Sequence, residues 1–178
     1  IVSGGHTSLL HVEDMPRKID VVGTTLDDAA GECFDKVARL LGFPYPGGPH
    51  IDRHGQNGDP HAIKVPMGLT QGKAGAAHPY DFSFSGVKTA VARWVESEQA
   101  AGHEIPVDDV CASLADSVAT VLARKAMRGC RQYDSNTLIV GGGFSANSQL
   151  RAKLLEFGEK YGVDVRIPQI KLCTDNGA

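Results

Sequence analysis

The sequence has 178 residues, 42% of them hydrophobic and 22% charged, and its formal net charge is −3. Those proportions describe one globular domain, or one and a half, with enough apolar residues for a real core. They exclude a chain-wide cationic surface for nucleic acid, an apolar run long enough to span a membrane and, because Cys33, Cys111, Cys130 and Cys173 are scattered without a CxxC pair, a disulfide frame or zinc ribbon. Reduced cysteines and the lack of a signal peptide point to the cytoplasm. The chain opens at Ile1 in strand-like sequence, without a methionine, and stops at Ala178 straight after a loop. The expectation is a piece of a longer polypeptide.

Ile1–Val2 reads as the end of a strand, Ser3-Gly4-Gly5-His6-Thr7 as a turn, and Ser8–Val12 as the returning strand of a hairpin. Ile19–Thr24, rich in β-branched residues, is the next strand. The SGGHT turn is either a plain hairpin turn or one whose glycines let backbone grip a ligand; the pattern leaves both open. Thr25, with Asp28 three residues on, has the form of a capping box and opens a helix to about Leu41. Ala30, Cys33, Phe34, Val37 and Leu41 make its apolar stripe. Asp28, Glu32, Asp35 and Arg39 share another face, and their spacing alone suggests solvated pairs. Tyr45-Pro46-Gly47-Gly48-Pro49 is a rigid turn where backbone can approach a ligand closely.

His50 and His54 in HIDRH stand four apart, as a metal pair on a helix would. Asp52 is off their face and the glutamate of HExxH is missing, so an amphipathic helix surface is the expectation. Residues 55–75 read as glycine-rich loop with a short strand near Ile63–Val65. Phe82-Ser83-Phe84-Ser85-Gly86 alternates like a strand with one buried face, and a helix follows to about Gln99. Lys88 stands in its first turn against the helix dipole, so it is either solvated or has an anionic partner. A long helix runs from Pro106–Asp109 to about Gln132 on the period Val110, Leu114, Val118, Val121, Leu122, Met127. Its basic end, Arg124, Lys125, Arg128 and Arg131, reads as a solvated helix C-terminus.

The densest local signal is Thr137–Arg151, TLIVGGGFSANSQLR. Leu138–Val140 is a short buried strand, Gly141–Gly143 a turn, and Ser145 and Asn147 are N-cap types ahead of a helix to about Tyr161. Such a turn gathers bare N–H groups, so it is either an anion cradle or an ordinary β–α connection. Val163–Ile167 is a closing strand, and 168–178 form a loop containing Cys173-Thr174-Asp175-Asn176.

Six segments in order, IVSGGHT, TTLDDAAGECFDKVARLLG, YPGGP, FSFSGVKTA, LIVGGGFSANSQLR and LCTDNGA, resemble the bacterial tRNA adenosine threonylcarbamoyltransferases, long known as glycoproteases. The resemblance spans nearly the whole chain and is thinnest over 51–77. It implies an α/β fold of the actin-like ATPase type, shared with sugar kinases and chaperone ATPases, with nucleotide between two lobes. Residues 1–25 would end the first lobe and 26–178 form most of the second. The implied reaction moves a threonylcarbamoyl group from threonylcarbamoyl-AMP to the exocyclic amine of the adenosine beside the anticodon of tRNAs reading ANN codons. Ile1, Val2, Ser3, Gly4 and Gly5 would meet the phosphate or carbamoyl end. Asp35, Gly48 and Asn147 would bind the rest of the adenylate, with the glycines at 141–143 admitting adenosine. ATP or ADP would fit the same cleft.

The resemblance also makes Asp175 a ligand of one divalent metal, Fe(II) or zinc, beside two histidines of an HxxxH motif upstream of Ile1. With one ligand of three, the chain alone would bind metal weakly and be catalytically inert. Implied partners are tRNA, a degenerate paralogue, a small ATPase and the adenylate-forming enzyme, with no membrane. Two other functions share the fold: a sugar or acid kinase, and a non-catalytic nucleotide-binding subunit. A kinase needs a catalytic aspartate and magnesium facing a hydroxyl, which CTDN does not resemble. Degenerate subunits lose the glycine motifs that this sequence keeps. A peptidase reading has neither HExxH nor a serine elbow behind it.

Overall fold

The computed structural model describes residues 1–173. Strands β1 (Ser8–Asp14) and β2 (Lys18–Thr24) form an antiparallel ribbon, with Ser8 opposite Thr24 and an irregularity between Leu9 and Leu10. Strands β3 (Thr137–Ile139) and β4 (Asp164–Arg166) pair in parallel. Val2 joins the two ribbons. It bridges Thr7 in antiparallel sense, donates its N–H to Gly141 O at 2.8 Å and accepts from Phe144 N at 3.2 Å.

Around these ribbons lie α1 (Ala30–Leu40), α2 (Gly48–Gly55), the short α3 (Gly72–Ala77), α4 (Ser85–Ala100), α5 (Val107–Gln132) and α6 (Ser148–Tyr161). The spine is α5, with α2 and α6 packed along it and α4 against α1. The helical period read from the sequence is the buried face: Val110, Leu114, Val118 and Val121 on α5, with Cys33, Phe34 and Val37 on α1. Phe34 meets Phe144 edge-on, ring centres 4.6 Å apart, and so fastens α1 to the loop after β3. No described helix is long and apolar enough to cross a membrane.

Several expectations are corrected, each for a polar reason. The first helix starts at Ala30 rather than Thr25, because residues 25–28 are held outside helical geometry. Thr25 Oγ1 donates to Asp28 O at 2.7 Å, Thr25 N to Thr7 O and Leu26 N to Phe82 O. Ala29 takes the cap position instead, and its N–H meets Glu32 Oε2 at 3.4 Å. Phe82–Gly86 is not a strand beyond a single bridge to Thr25. Its aromatic residues are both buried as the alternation requires. Asp27 captures the rest from a distance, accepting Phe84 N at 2.8 Å, Ser85 N at 3.2 Å and the hydroxyls of Ser83 and Ser85 at 2.6 and 2.7 Å. Partial burial pushes the Asp27 carboxyl up, but those four donors outweigh it and hold it below the ordinary range.

The expected strand at Ile63–Val65 is irregular chain. Side chains of α5 satisfy its backbone in place of a sheet: Ile63 N donates to Ser113 Oγ, and Ser117 Oγ donates to Pro66 O. Helix α3 lies where loop was expected, since GKAGAA carries little periodic signal. At the basic end of α5, Arg124, Arg128 and Arg131 are exposed as expected, but Lys125 is only 5% exposed. Its ammonium donates to Leu69 O at 2.9 Å, His78 O at 3.1 Å and Asp81 O. That lysine is a clamp on residues 69–81, not a solvated charge.

Candidate functional site

Five of the nine sequence-predicted site residues lie in the turn at Ile1–Gly5, and the geometry divides them. Ile1 and Ser8 exchange both backbone hydrogen bonds, at 2.8 and 2.9 Å. Both backbone groups of Val2 are likewise taken, by Gly141 and Phe144. Ser3 N donates to His6 O, and Ser3 O accepts Gly31 N from the start of α1. Gly4 and Gly5 are different: both are exposed, a Cβ on either would meet nothing within 4 Å, and their N–H groups take no part in the hydrogen bonds among the described residues. They are the free donors of the turn. Buried Thr7 supports them from below, its Oγ1 accepting Ala30 N at 2.9 Å.

Helix α1 carries the turn to the next segment. A Cβ on Gly31 would stand 2.8 Å from Gly4 Cα, so only glycine lets the helix come this close. Asp35 is one helical turn further along that face. Its Oδ1 accepts Gly47 N at 2.8 Å, which pins the YPGGP turn to α1. Gly48, next in the chain, opens α2 with free space where a Cβ would be.

Helix α2 then reaches the loop after β3. Asp52 Oδ1 accepts Asn147 Nδ2 at 2.9 Å, Ser148 N at 2.9 Å and Ser148 Oγ at 2.7 Å. Asn147 is the N-cap of α6 that its residue type suggested: its Oδ1 accepts Leu150 N at 2.8 Å. Between Gly143 and Ala146 the chain makes a 3-10 turn before the helix proper. The Val2 and Phe144 contacts close a ring: turn Ser3–Gly5, α1 with Asp35, Gly47–Gly48, α2 with Asp52, Asn147, and back to Val2.

The ring bears on the α6 N-terminus behind the GGG turn, while the N–H groups of Gly141, Gly142 and Gly143 take no part in the hydrogen bonds among the described residues. A carboxylate of the chain itself, Asp52, already sits at the N-terminus of α6, where an external anion would have bound. The amides of Phe144, Ser145 and Asn147 are also taken internally. Gly4 and Gly5 offer unbonded N–H groups to an anion, as do Gly141–Gly143. Asp52 and Asp27 are the residues that sequence reasoning passed over, since each acts on a segment 56–96 positions away in the chain. Replacing Asp52 with alanine orphans three donors at once. We expect a loss of about 2–3 kcal/mol in unfolding free energy. Asp52→Asn, which keeps an Oδ1 acceptor, should lose less than half of that in paired denaturant titrations.

His50 and His54 of HIDRH stack on Phe43, ring centres 5.4 and 4.8 Å apart, and His54 Nδ1 lies 2.5 Å from Asp108 Oδ1. Asp175 lies outside the described residues. Among those described, the group of His, Asp and Glu able to share an ion is His11, Glu13 and Asp20 on the β1–β2 ribbon. There Lys18 already faces Glu13 at 2.5 Å. Cys33 and Cys111 are buried thiols pushed up to about 12 by desolvation, so neither offers a thiolate.

Fold and site together define an α/β chain in which glycine turns, helix starts and the carboxylates of Asp35 and Asp52 are linked by hydrogen bonds. A family model described as "TsaD: tRNA N6-adenosine threonylcarbamoyltransferase" matches residues 1–178, and the chain belongs to that family. It is 99% identical over 178 residues to a tRNA N6-adenosine threonylcarbamoyltransferase of Bifidobacterium longum (strain NCC 2705). It is 88% identical over the same span to the protein of that name in Bifidobacterium adolescentis. All of this chain and 51% of each relative are covered, so the chain spans about half the length of the curated relatives it matches.

Proposed function

We propose that the polypeptide to which this chain belongs transfers the threonylcarbamoyl group of threonylcarbamoyl-AMP to the exocyclic amine of the adenosine beside the anticodon, in tRNAs reading ANN codons. Residues 26–178 form most of the second lobe of an actin-like ATPase fold, and 1–25 close the first. The carrying observation is the ring itself, which links Ser3–Gly5, Asp35, Gly48 and Asn147 in a chain whose family match runs end to end.

In this reading Gly4 and Gly5 donate their free N–H groups to the adenylate phosphate. Asp35 has its Oδ2 available for the ribose hydroxyls, because Gly47 takes only Oδ1. Asn147 keeps a second Nδ2 proton for the adenosine, the first being directed at Asp52. Gly48 lets the nucleoside lie against backbone. Ile1 and Val2 hold the turn in place rather than touch the ligand. The amine attacks the carbamoyl carbon of a mixed anhydride, the carbon–oxygen bond to phosphate breaks, and AMP leaves with the electron pair while the amine proton passes to solvent or the phosphate. The donor is already activated, so no nucleophilic side chain is needed. A divalent ion such as iron or zinc would polarise the carbonyl. Asp175 is its expected ligand, and the described residues of the ring offer no ligand set for it, so binding and orientation are what this chain supplies. The partners of the reading are tRNA, a degenerate paralogue, a small ATPase and the adenylate-forming enzyme, in the cytoplasm.

The test is transfer of radiolabelled threonine, as its carbamoyl adenylate, to tRNA by the full-length protein with its partners. Transfer is expected from the full-length protein and none from residues 1–178 alone. Sugar-stimulated ATP turnover without transfer would replace this reading with the kinase one.

A further inference from the structure

Beside the last turns of α5 lies an open cavity of about 480 Å³. Its lining includes Arg124, Arg128 and Arg131 of that helix, Asp134 and Asn136 of the connection to β3, and Tyr161 at the end of α6. No residue of 1–25 lines it. The arginines follow one another at spacings of four and three, so they share one helix face over roughly 10 Å of rise. All three are exposed, and none has an ion-pair partner among the described residues. Asp134 is the single carboxylate of the lining, so positive charge is in excess. The helix dipole accounts for Arg131, in the last turn, but its attraction fades before Arg124 and Arg128. Those two are aimed by soft, uncharged neighbours: Arg128 lies 5.7 Å from the centre of the Tyr80 ring, and Arg124 Nη1 donates to Met67 Sδ at 3.5 Å. Most of their guanidinium N–H groups stay available. Beside them the Nδ2 of Asn136 takes no part in the hydrogen bonds among the described residues, and Tyr161 is 55% exposed.

We propose that this arginine stripe takes successive phosphates of the tRNA backbone, away from the adenosine that reacts. The identity of the partner rests on the tRNA-modifying reading above. An RNA strand fits because a row of like charges matches a row of phosphates, whereas a single small anion needs its donors gathered around one point. The planar guanidinium fork suits a phosphate, and an exposed tyrosine with a free amide beside it offers a stacking face and a donor to base or ribose. The chain is acidic overall, so this stripe attracts a polyanion locally and not by net charge. Asn136 stands at the start of β3, and Gly141 of the ligand ring follows the other end, five residues on. At the rise of a strand that is roughly 17 Å, so the stripe meets backbone remote from the reacting nucleotide. Such contacts position the RNA and take no part in the chemistry.

The experiment uses the full-length protein with its partners and a transcript of a tRNA reading ANN codons, titrated at several KCl concentrations. Arg124→Gln combined with Arg131→Gln removes two exposed charges and leaves Arg128 on Tyr80, so the melting temperature should not move. The slope of log affinity against log salt should become shallower by about 1.4–1.8, and affinity near 0.15 M salt should fall about tenfold. Lysine at both positions should restore most of the slope. Arg93→Gln, on the exposed face of α4, should leave affinity unchanged. In the transfer assay the double glutamine variant should raise the KM for tRNA about tenfold, with kcat and the KM for the adenylate unchanged. The proposal is overturned by unaltered affinity and slope in that variant, by an equal loss per charge in Arg93→Gln, or by no tRNA binding to the unaltered complex. A loss of ATP affinity with tRNA affinity unmoved would make the cavity a small-nucleotide site and overturn it too. Arginine-dependent tRNA binding without transfer would sink the transferase reading and leave the stripe standing; transfer without arginine dependence would do the reverse.

Discussion

Gly142→Ala is expected to cost about 3 kcal/mol or more of stability, and to abolish adenylate binding in the full-length protein. Gly142 has φ +104° and ψ 160°, a region that residues with a Cβ scarcely enter, at about 1–3 kcal/mol. A Cβ there would also fall on the carbonyl oxygen of Val2. Relief would require moving either Val2, which ties the two ribbons together, or the loop that carries Asn147. Overpacking of that kind adds about 1–3 kcal/mol. Gly141 is the matched control, since its Cβ would meet nothing within 4 Å and its φ is not in the positive range. Denaturant titration of both variants, with adenylate titration by calorimetry, should separate them. Equal stability of the two would show that the Val2 junction is not the constraint.

Lys125→Met should cost about 3 kcal/mol, because three carbonyls lose their shared donor in a buried place. The same lysine sets a pH dependence. Burial lowers the Lys125 pKa below the ordinary lysine value, outweighing the pull of Asp81. The folded state therefore releases this proton before the unfolded state does. Stability from this group rises with pH between the lowered folded pKa and the ordinary lysine range, and the cost of the buried charge is fully present below that window. The methionine variant should lack that rise. A parallel pH–stability profile for the two proteins would contradict this account.

The sequence was most informative where one short stretch contains both signal and consequence. The helical periods of α1 and α5, the hairpin around SGGHT and the Asn147 cap all depend on neighbours within a few residues. It was least informative where a polar side chain satisfies distant backbone. Thr25 looked like a cap because its spacing to Asp28 is right, but Thr7 and Phe82 hold it elsewhere. Lys125 looked solvated because a basic helix end usually is; its acceptors are 44–56 residues away. Asp52 was dismissed along with its flanking histidines, although it proved to be the tie between α2 and α6.

The amino-acid sequence by itself thus determined the family, the helical faces and the glycine turns, and it supplied the set of residues proposed to surround the ligand, because propensity and motif spacing are local properties. Which of those residues remain free for a ligand was decided by the tertiary structure alone. Ile1 and Val2 bond away their backbone, Asp52 occupies the α6 N-terminus, and Gly4 and Gly5 are left open. The reason is that a hydrogen-bonding group has few places for a partner, and only three-dimensional proximity determines what takes them.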